Sequence, residues 1–327
     1  MGLFSFIYRI GLSCHKLISK PHKLPVKVIS IGNITLGGTG KTPAVISVAK
    51  AAKIRGLSPC ILTRGYKAKS GDTCFISKGE GPLISAADAG DEAYLMAEIL
   101  RGIPVVKSKN RYEAGLLALK EYPAPVFILD DGFQHWGLQR DIDIVLIDAT
   151  NPFGNKRLFP EGMLREPLTA LKRAHVIVIT KSDIAQTESI AAISQEVRKI
   201  NPDVPVFTAF HKPVELVDTA GNTTELKSLV NKKVYVFTGI ASNIYFESLL
   251  RTNGAQIIDS KTFRDHHSYT QKDIDEIKSD AMGLDIITTE KDMVKLKELN
   301  VPQNVYAFRI EFTVDREFYE NIFRRLQ

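Results

Sequence analysis

The sequence predicts an α/β protein: a parallel sheet of the phosphate-loop type covered by helices, joined to a second, smaller α/β domain. Three observations predict it. Short apolar runs alternate with helical patterns up to about residue 200. The run Gly37-Gly38-Thr39-Gly40-Lys41-Thr42 stands between one such strand and one such helix. After a proline-containing stretch, a second strand–helix alternation begins near residue 233.

The elements follow in order. Near the start, Leu3, Phe4, Ile7, Ile10, Cys14, Leu17 and Ile18 recur at helical spacing, while Ser5, Arg9, Ser13, Lys16 and Lys20 line another face. A helix with an apolar, aromatic face and a basic face suits a bilayer interface; the alternative is a terminal helix packed on its own domain. The stretch lacks the compact apolar core and cleavage site of a signal peptide. After Met1-Gly2, Phe6 stands where a myristoylation signal needs Ser or Thr, so lipidation is not expected.

Strands are expected at Val26–Ile31, Pro59–Thr63, Val105–Val106, Val126–Leu129, Ile144–Ile147 and Val176–Thr180, with helices around 43–55, 89–101, 110–121 and 185–200. Continuously apolar strands between helices indicate a parallel sheet buried on both faces, with chemistry at the strands' carboxyl ends. The Gly-, Ser- and Asp-rich segment Ala68–Gly90 reads as a mobile flap. A junction is expected from Asn201 to Lys233, where Pro202, Pro205, Pro213 and the turn Ala220-Gly221-Asn222 loosen the pattern. Beyond it, strands are expected at Val234–Thr238, Gln256–Ser260 and Asp285–Thr289, and helices around 243–253, 270–280 and 291–298. The expected division is an interfacial helix (1–25), a nucleotide- and substrate-binding domain (26–205) and a second α/β domain (206–327) closing over the site.

Composition bounds the partners. The 327 residues are 44% hydrophobic, an ordinary globular content, and no apolar run is long enough to span a bilayer. Cys14, Cys60 and Cys74 have no metal-type spacing, which fits idle thiols in a reducing compartment. The net charge of +6 is uneven: residues 1–71 hold twelve Lys and Arg and no Asp or Glu, leaving −6 on the remainder. A basic end on an acidic body points to an anionic partner. No aromatic-interleaved module marks a nucleic-acid binder, and none is expected; the oligomeric state stays open.

The glycine-rich run carries the chemistry. Its backbone N–H groups can converge on phosphate oxygens, Lys41 adds a positive charge, and the Thr42 hydroxyl can hold Mg²⁺. The usual spacing puts a glycine where this chain has Thr35. The alternative is a glycine turn packing a helix on a sheet. Val126–Leu129 ends in Asp130 and Asp131, a pairing that holds Mg²⁺ beside a phosphate loop; otherwise it is an acidic turn. Gln134 and His135 at the same strand's mouth either bind substrate or order the turn. Asp91 and Glu92 open a helix after Gly90, where carboxylates also serve as caps. Arg165 and Glu166 lie on a loop, Asp265-His266-His267 on another, and Thr288-Thr289-Glu290-Lys291-Asp292 forms a further strand-to-helix joint. Thr180-Lys181-Ser182-Asp183 approximates the guanine-reading Asn-Lys-x-Asp, with Thr180 in place of the asparagine, a weak signal for base contact.

Together the blocks from Ile31 to Pro43, Thr63-Arg64-Gly65-Tyr66, Gly90-Asp91-Glu92, Asp130-Asp131-Gly132-Phe133-Gln134-His135, Leu164-Arg165-Glu166-Pro167, Asp265-His266 and Thr288 to Asp292 resemble the tetraacyldisaccharide 4′-kinase family of lipid A biosynthesis. The resemblance runs from about residue 26 to about 295. It implies ATP and Mg²⁺ as cofactors, and a tetraacylated glucosamine disaccharide 1-phosphate as acceptor. It also implies lipid IVA as product and an anionic inner-membrane surface, on its cytoplasmic face, as workplace. Carried over, Gly37, Gly38, Thr39, Gly40, Lys41 and Thr42 bind the nucleotide, with Lys41 on the β- and γ-phosphates. Thr42 and Asp130 serve Mg²⁺, Glu166 assists the metal shell, and Arg165 meets the phosphates. Asp131 stands beside Asp130 in the catalytic block. Asp91 is the implied base, paired with His266 from the second domain. Arg64, Tyr66, Gln134 and His135 line the sugar site. The family also lacks the regular first glycine, which accounts for Thr35; one departure is Lys67, where the family often has glycine. The main rival reading is a membrane-associated partitioning-type ATPase; there a lysine precedes the glycine pair, where this chain has Leu36.

Overall fold

The computed structural model describes residues 3–122 and 125–327. Met1 and Gly2, on which the lipidation reading rests, lie outside them. The first half contains helix α1 (Leu3–Ile18), strand β1 (Val28–Asn33), α2 (Lys41–Ile54), β2 (Pro59–Thr63), β3 (Cys74–Ser77), α3 (Ala86–Ala89) and α4 (Asp91–Ile99). It continues with β4 (Val105–Lys107), α5 (Arg111–Glu121), β5 (Val126–Asp130), β6 (Ile142–Asp148), β7 (Val176–Thr180) and α6 (Thr187–Ile200). The second half adds β8 (Val206–Asp218), β9 (Thr223–Glu225), β10 (Lys233–Thr238), α7 (Asn243–Thr252), β11 (Gln256–Thr262) and α8 (Gln271–Asp280). It ends with β12 (Asp285–Thr289), α9 (Glu290–Val294), β13 (Val305–Val314) and α10 (Arg316–Arg324).

Among the described residues thirteen strands form one sheet, in the order β11-β10-β12-β13-β8-β7-β6-β1-β5-β2-β4-β3, with β9 paired to β8 on the side. The central strands are apolar on both faces because helices cover both. Ile29 and Ile31 of β1 join a core with Ala44, Val45, Val48 and Ala49 of α2, while neighbouring Val28 joins the opposite core with Ala114 and Ala118 of α5. The alternation follows from the pleat, which sends successive side chains to opposite faces. The small residues of α2 let its axis lie close to the sheet, which holds its first turn, and hence Lys41, at the carboxyl end of β1.

The expected boundary between residues 205 and 206 falls where strand β8 begins. Strand β8 continues the first half's sheet, pairing parallel with β7 through Val206, Phe207 and Thr208. It then pairs antiparallel with β13 from Ala209 onward. The junction is a strand rather than a loosened linker. Its prolines hid it: at Pro213 the register shifts, Pro213 pairing with Ile310 and Glu215 with Arg309, so Val214 bulges out. A bulge is one of the few places where a strand accepts proline. The last helix also returns to the first half. Phe318, Ile322 and Phe323 of α10 share a core with α2, and Tyr319 Oη lies 2.6 Å from Ser47 Oγ. The segment expected to be a flap contains β3 and α3, with β3 paired antiparallel to β4.

Helix α1 is amphipathic as expected, yet it turns its apolar side outward. Phe4 is 70% exposed and Leu17 84%, with Phe6, Ile7, Ile10 and Ile18 also exposed. Ser5 is buried instead, donating to the Leu158 carbonyl at 2.8 Å, and Tyr8 Oη donates to the Arg165 carbonyl at 3.1 Å. Among the described residues no helix is long and apolar enough to cross a membrane.

Candidate active site

The phosphate loop occupies the space expected for it. Gly40 adopts φ 81°, in the left-handed region, and an added Cβ there would sit 2.8 Å from His211 Nε2, so glycine is required twice over. Asn33 Nδ2 donates to Thr39 Oγ1 at 3.1 Å, and Thr180 Oγ1 donates to the Thr39 carbonyl at 3.1 Å, bracing the loop from below. Thr35 takes the place of a glycine because the chain there is extended. It bridges antiparallel to Leu164, Leu36 N donates to Met163 O at 2.7 Å, and Arg165 N donates to Ile34 O at 2.7 Å. That pairing also brings Arg165 beside the loop.

A cleft of about 1500 Å³ opens between the halves; its lining includes Lys41, Thr42, Arg64, Glu92, Asp130 and His266. At its floor Asp130 is buried and accepts from Thr63 Oγ1 at 2.9 Å. Burial, followed by the like charges of Glu92 and Asp131, pushes its carboxyl up to about 7. Asp131 behaves oppositely. Burial acts to raise it too, but the charges of Lys41 and Arg165 outweigh that and hold it below the ordinary value. Its oxygens lie 3.6 Å from Lys41 Nζ and 2.8 Å from Arg165 Nη1. Two adjacent carboxyl groups thus differ: Asp131 anchors the cations, while Asp130 and Glu92 form a local excess of carboxyl groups in which Asp130 tends to keep its proton.

That excess fits a cation. Among the described residues no group of three or more His, Cys, Asp or Glu forms an all-protein metal cage. Mg²⁺ bound with phosphates needs only one or two carboxylates beside waters and phosphate oxygens, so Asp130 with Thr42 fits the requirement. Glu166 is 5% exposed and accepts from Arg173 Nη2 at 2.9 Å and from Gln134 Nε2 at 2.9 Å, one residue along from Arg165. Gln134 also donates to the Asn33 carbonyl at 2.9 Å and so orders the turn after β5.

Asp91 and the cleft-lining His266 meet although 175 positions separate them: His266 Nδ1 lies 3.4 Å from Asp91 Oδ2. Gly90 makes this approach possible. Its φ is 87°, and a Cβ would sit 2.4 Å from the Tyr66 carbonyl, so glycine lets the Arg64–Tyr66 turn pack against the start of α4. Burial acts to raise the Asp91 carboxyl, but the hydrogen bond to His266 and the charge of Lys295 carry it below the ordinary value. Its side chain keeps 20% exposure, which leaves the carboxylate within reach of a solute. The Tyr66 ring meets His266 edge-on at 5.0 Å, and Lys67 Nζ donates to the His266 carbonyl at 3.2 Å. Arg64 and Tyr66 both line the cleft.

Sequence reasoning missed several residues here. Glu92 faces Asp130, and Lys291 reaches both Glu92 and His266. Both lie inside local motifs, Gly90-Asp91-Glu92 and Thr288 to Asp292, in which a cap or salt-bridge role is the simpler local explanation. In the Thr180–Asp183 segment, Lys181 Nζ donates to Ser242 Oγ at 2.7 Å and pairs with Asp148, and Asp183 accepts from Tyr245 Oη at 3.1 Å. These contacts tie the phosphate loop's supports to α7 of the second half.

His211 had no sequence signal at all. It lies on β8 under Gly40, packed against Tyr245 and Phe312, with both ring nitrogens buried and unpartnered among the described residues. Burial, aided by the Lys181 charge against a weaker opposing effect of Asp148, pushes its value from 6.5 down to about 4. In that window the unfolded chain binds a proton the native state refuses, so stability falls as pH falls. Going from about pH 7 to about pH 5 should cost wild type about 2 kcal/mol more than His211→Phe, measured by urea unfolding at both values. Identical pH dependence in the two proteins would rule this out.

A family model described as tetraacyldisaccharide-1-P 4′-kinase (LpxK) matches residues 2–327. The tetraacyldisaccharide 4′-kinase of Desulfotalea psychrophila is 38% identical, with 99% of this chain and 92% of that protein covered. The enzyme of the same name from Halothermothrix orenii is 38% identical, over 96% and 88%. Among solved structures, the "apo" form of LpxK from Aquifex aeolicus in complex with ATP superposes with a TM-score of 0.79 at 34% identity, covering 99% of this chain and 98% of that one. With matches of this extent, the chain belongs to the tetraacyldisaccharide-1-phosphate 4′-kinase family.

Proposed function

We propose that the protein is an ATP-dependent kinase that phosphorylates the 4′-hydroxyl of tetraacyldisaccharide 1-phosphate, giving lipid IVA. The observation that carries this reading is the Asp91–His266 contact beside the phosphate loop: a proton acceptor and its orienting partner, one from each half. A nucleotide switch of the partitioning type hands its phosphoryl group to water and needs no site for a lipid acceptor.

Phosphoryl transfer needs positioning and charge neutralisation more than covalent chemistry. The loop's N–H groups and Lys41 hold the ATP phosphates. Asp131 keeps Lys41 and Arg165 in place until phosphate competes for them. Mg²⁺, held by Asp130 and Thr42, supplies neutralisation of phosphate charge when bound. Arg64 and Tyr66 line the sugar side. The 4′-oxygen forms a bond to the γ-phosphorus, the bond to the β,γ-bridging oxygen breaks, ADP leaves, and the hydroxyl proton passes to Asp91. Its depressed value makes Asp91 a weak base, which suits a transition state in which the hydroxyl is deprotonated late. The test is ADP release by purified protein with and without the lipid acceptor; release that ignores the acceptor would refute the kinase reading.

The acceptor's chains remain in a bilayer while its sugars reach into water. Outward-facing Phe4 and Ile7, on a helix whose flank carries Arg9, Lys16 and Lys20, support α1 as an interfacial anchor at an anionic surface, the cytoplasmic face of the bacterial inner membrane. Phe4→Asp with Ile7→Asp should weaken flotation with anionic liposomes by about tenfold or more. The melting temperature should hold, since neither side chain packs on the body. Unchanged flotation would send α1 back to a merely structural role.

A further inference from the structure

Lys291 lies at the start of α9 and makes contacts on both sides of the cleft. Its Nζ is 3.1 Å from Glu92 Oε1 in the first half and 3.2 Å from His266 Nε2 in its own half. Asp265 Oδ1 stands behind it at 3.6 Å. A second bridge of the same kind, Lys297 to Glu98, lies further along α4. Burial alone would tend to discharge Lys291, but the Glu92 and Asp265 charges outweigh it and keep the amine above its ordinary value.

An ammonium has only protons to offer. His266 Nε2 must therefore present its lone pair to Lys291, which leaves the ring proton on Nδ1, facing Asp91. The competing arrangement, with the proton on Nε2 donated to Asp265, would need a bond across 3.9 Å, beyond hydrogen-bond length. We propose that Lys291 is a positioning residue for phosphoryl transfer: it fixes His266 in the Nδ1–H form that orients the Asp91 carboxylate, and it holds the second half against Glu92 so that the pair stays assembled.

This rests on the kinase reading, and two readouts keep the two apart. The first is nitrogen NMR of protein labelled at histidine, recorded without nucleotide or lipid at mildly alkaline pH, with His266 assigned by loss of its signals in His266→Gln. Wild type should show Nδ1 protonated and Nε2 bare, and Lys291→Met should shift the proton toward Nε2. The second readout is steady-state kinetics. Lys291→Met should lower kcat by about 30-fold or more with the KM for ATP within about threefold, and Lys291→Arg, which keeps a donor, should recover most of the loss. Wild-type His266 protonated on Nε2 would overturn the proposal, as would Lys291→Met turning over within about threefold of wild type. If Lys291→Met fails to fold, the wild-type spectrum and Lys291→Arg still decide. Absence of lipid-dependent turnover in wild type would instead remove the kinase reading and leave the tautomer result standing.

Discussion

Asp91→Asn should lower kcat by about 10³, the middle of the range for a general base, while leaving the ATP dissociation constant within about twofold. The amide keeps the size and the 20% exposure of the side chain but cannot take up a proton. It can still meet His266 Nδ1 through its carbonyl oxygen, so the architecture should survive and the loss should fall on chemistry. His266→Ala should cost less, because it removes an orienting partner and leaves the acceptor. The double variant should resemble Asp91→Asn alone, since residues that act as one unit are not additive. ATP binding measured calorimetrically beside turnover separates the outcomes. Asp91→Asn with near-wild-type kcat would show that the sugar hydroxyl loses its proton elsewhere.

Lys41→Met should also be severe, and in a different way. The amine stands 3.6 Å from Asp131 and at the first turn of α2, where backbone donors and the helix dipole already favour anions. Removing a positioned positive charge from such a site costs about 10²–10³ in kcat, the size found for loss of one preorganised donor to developing charge. Ground-state ATP binding should weaken as well, by about tenfold, because the same charge meets the phosphates before transfer. Fold stability should change little: Asp131 keeps Arg165 at 2.8 Å. A kcat within about tenfold of wild type would show that the loop's N–H groups alone carry the phosphates.

Much of the fold and part of the site could be read from residues alone. Continuous apolar runs marked β1, β2, β5, β6 and β7 because both faces of those strands are covered. β8 escaped because its burial is mixed and Pro213 looks like a breaker; only the bulge opposite Arg309 and Ile310 makes it a strand. Residues 1–71 announced an anionic partner by charge, yet only the structure reveals that α1 faces its apolar side away from the body.

The site divides along the same line. Lys41, Asp130 and Asp131 sit on a local strand–loop–helix pattern, so spacing identifies them. Asp91 and His266 gain meaning only from a contact across 175 positions, which no local pattern encodes; the family resemblance supplied it. Glu166 and Gln134 carried the same resemblance and proved to be committed to Arg173, to Asn33 and to each other. Lys67, the residue out of pattern, stands at φ 59°, where glycine is unstrained and other residues pay about 1 kcal/mol. Its amine donates to His266 O, a contact glycine cannot make.

The kinase reading hands the loop's phosphate to a sugar hydroxyl and not to water. The direct test incubates the protein with ATP labelled at the γ-phosphorus, Mg²⁺ and tetraacyldisaccharide 1-phosphate in mixed micelles, and follows the label. One labelled phosphate is expected at the 4′-position for each ADP formed, with release slower by about 100-fold when the lipid is omitted. Label appearing as inorganic phosphate at a rate indifferent to the lipid would contradict it.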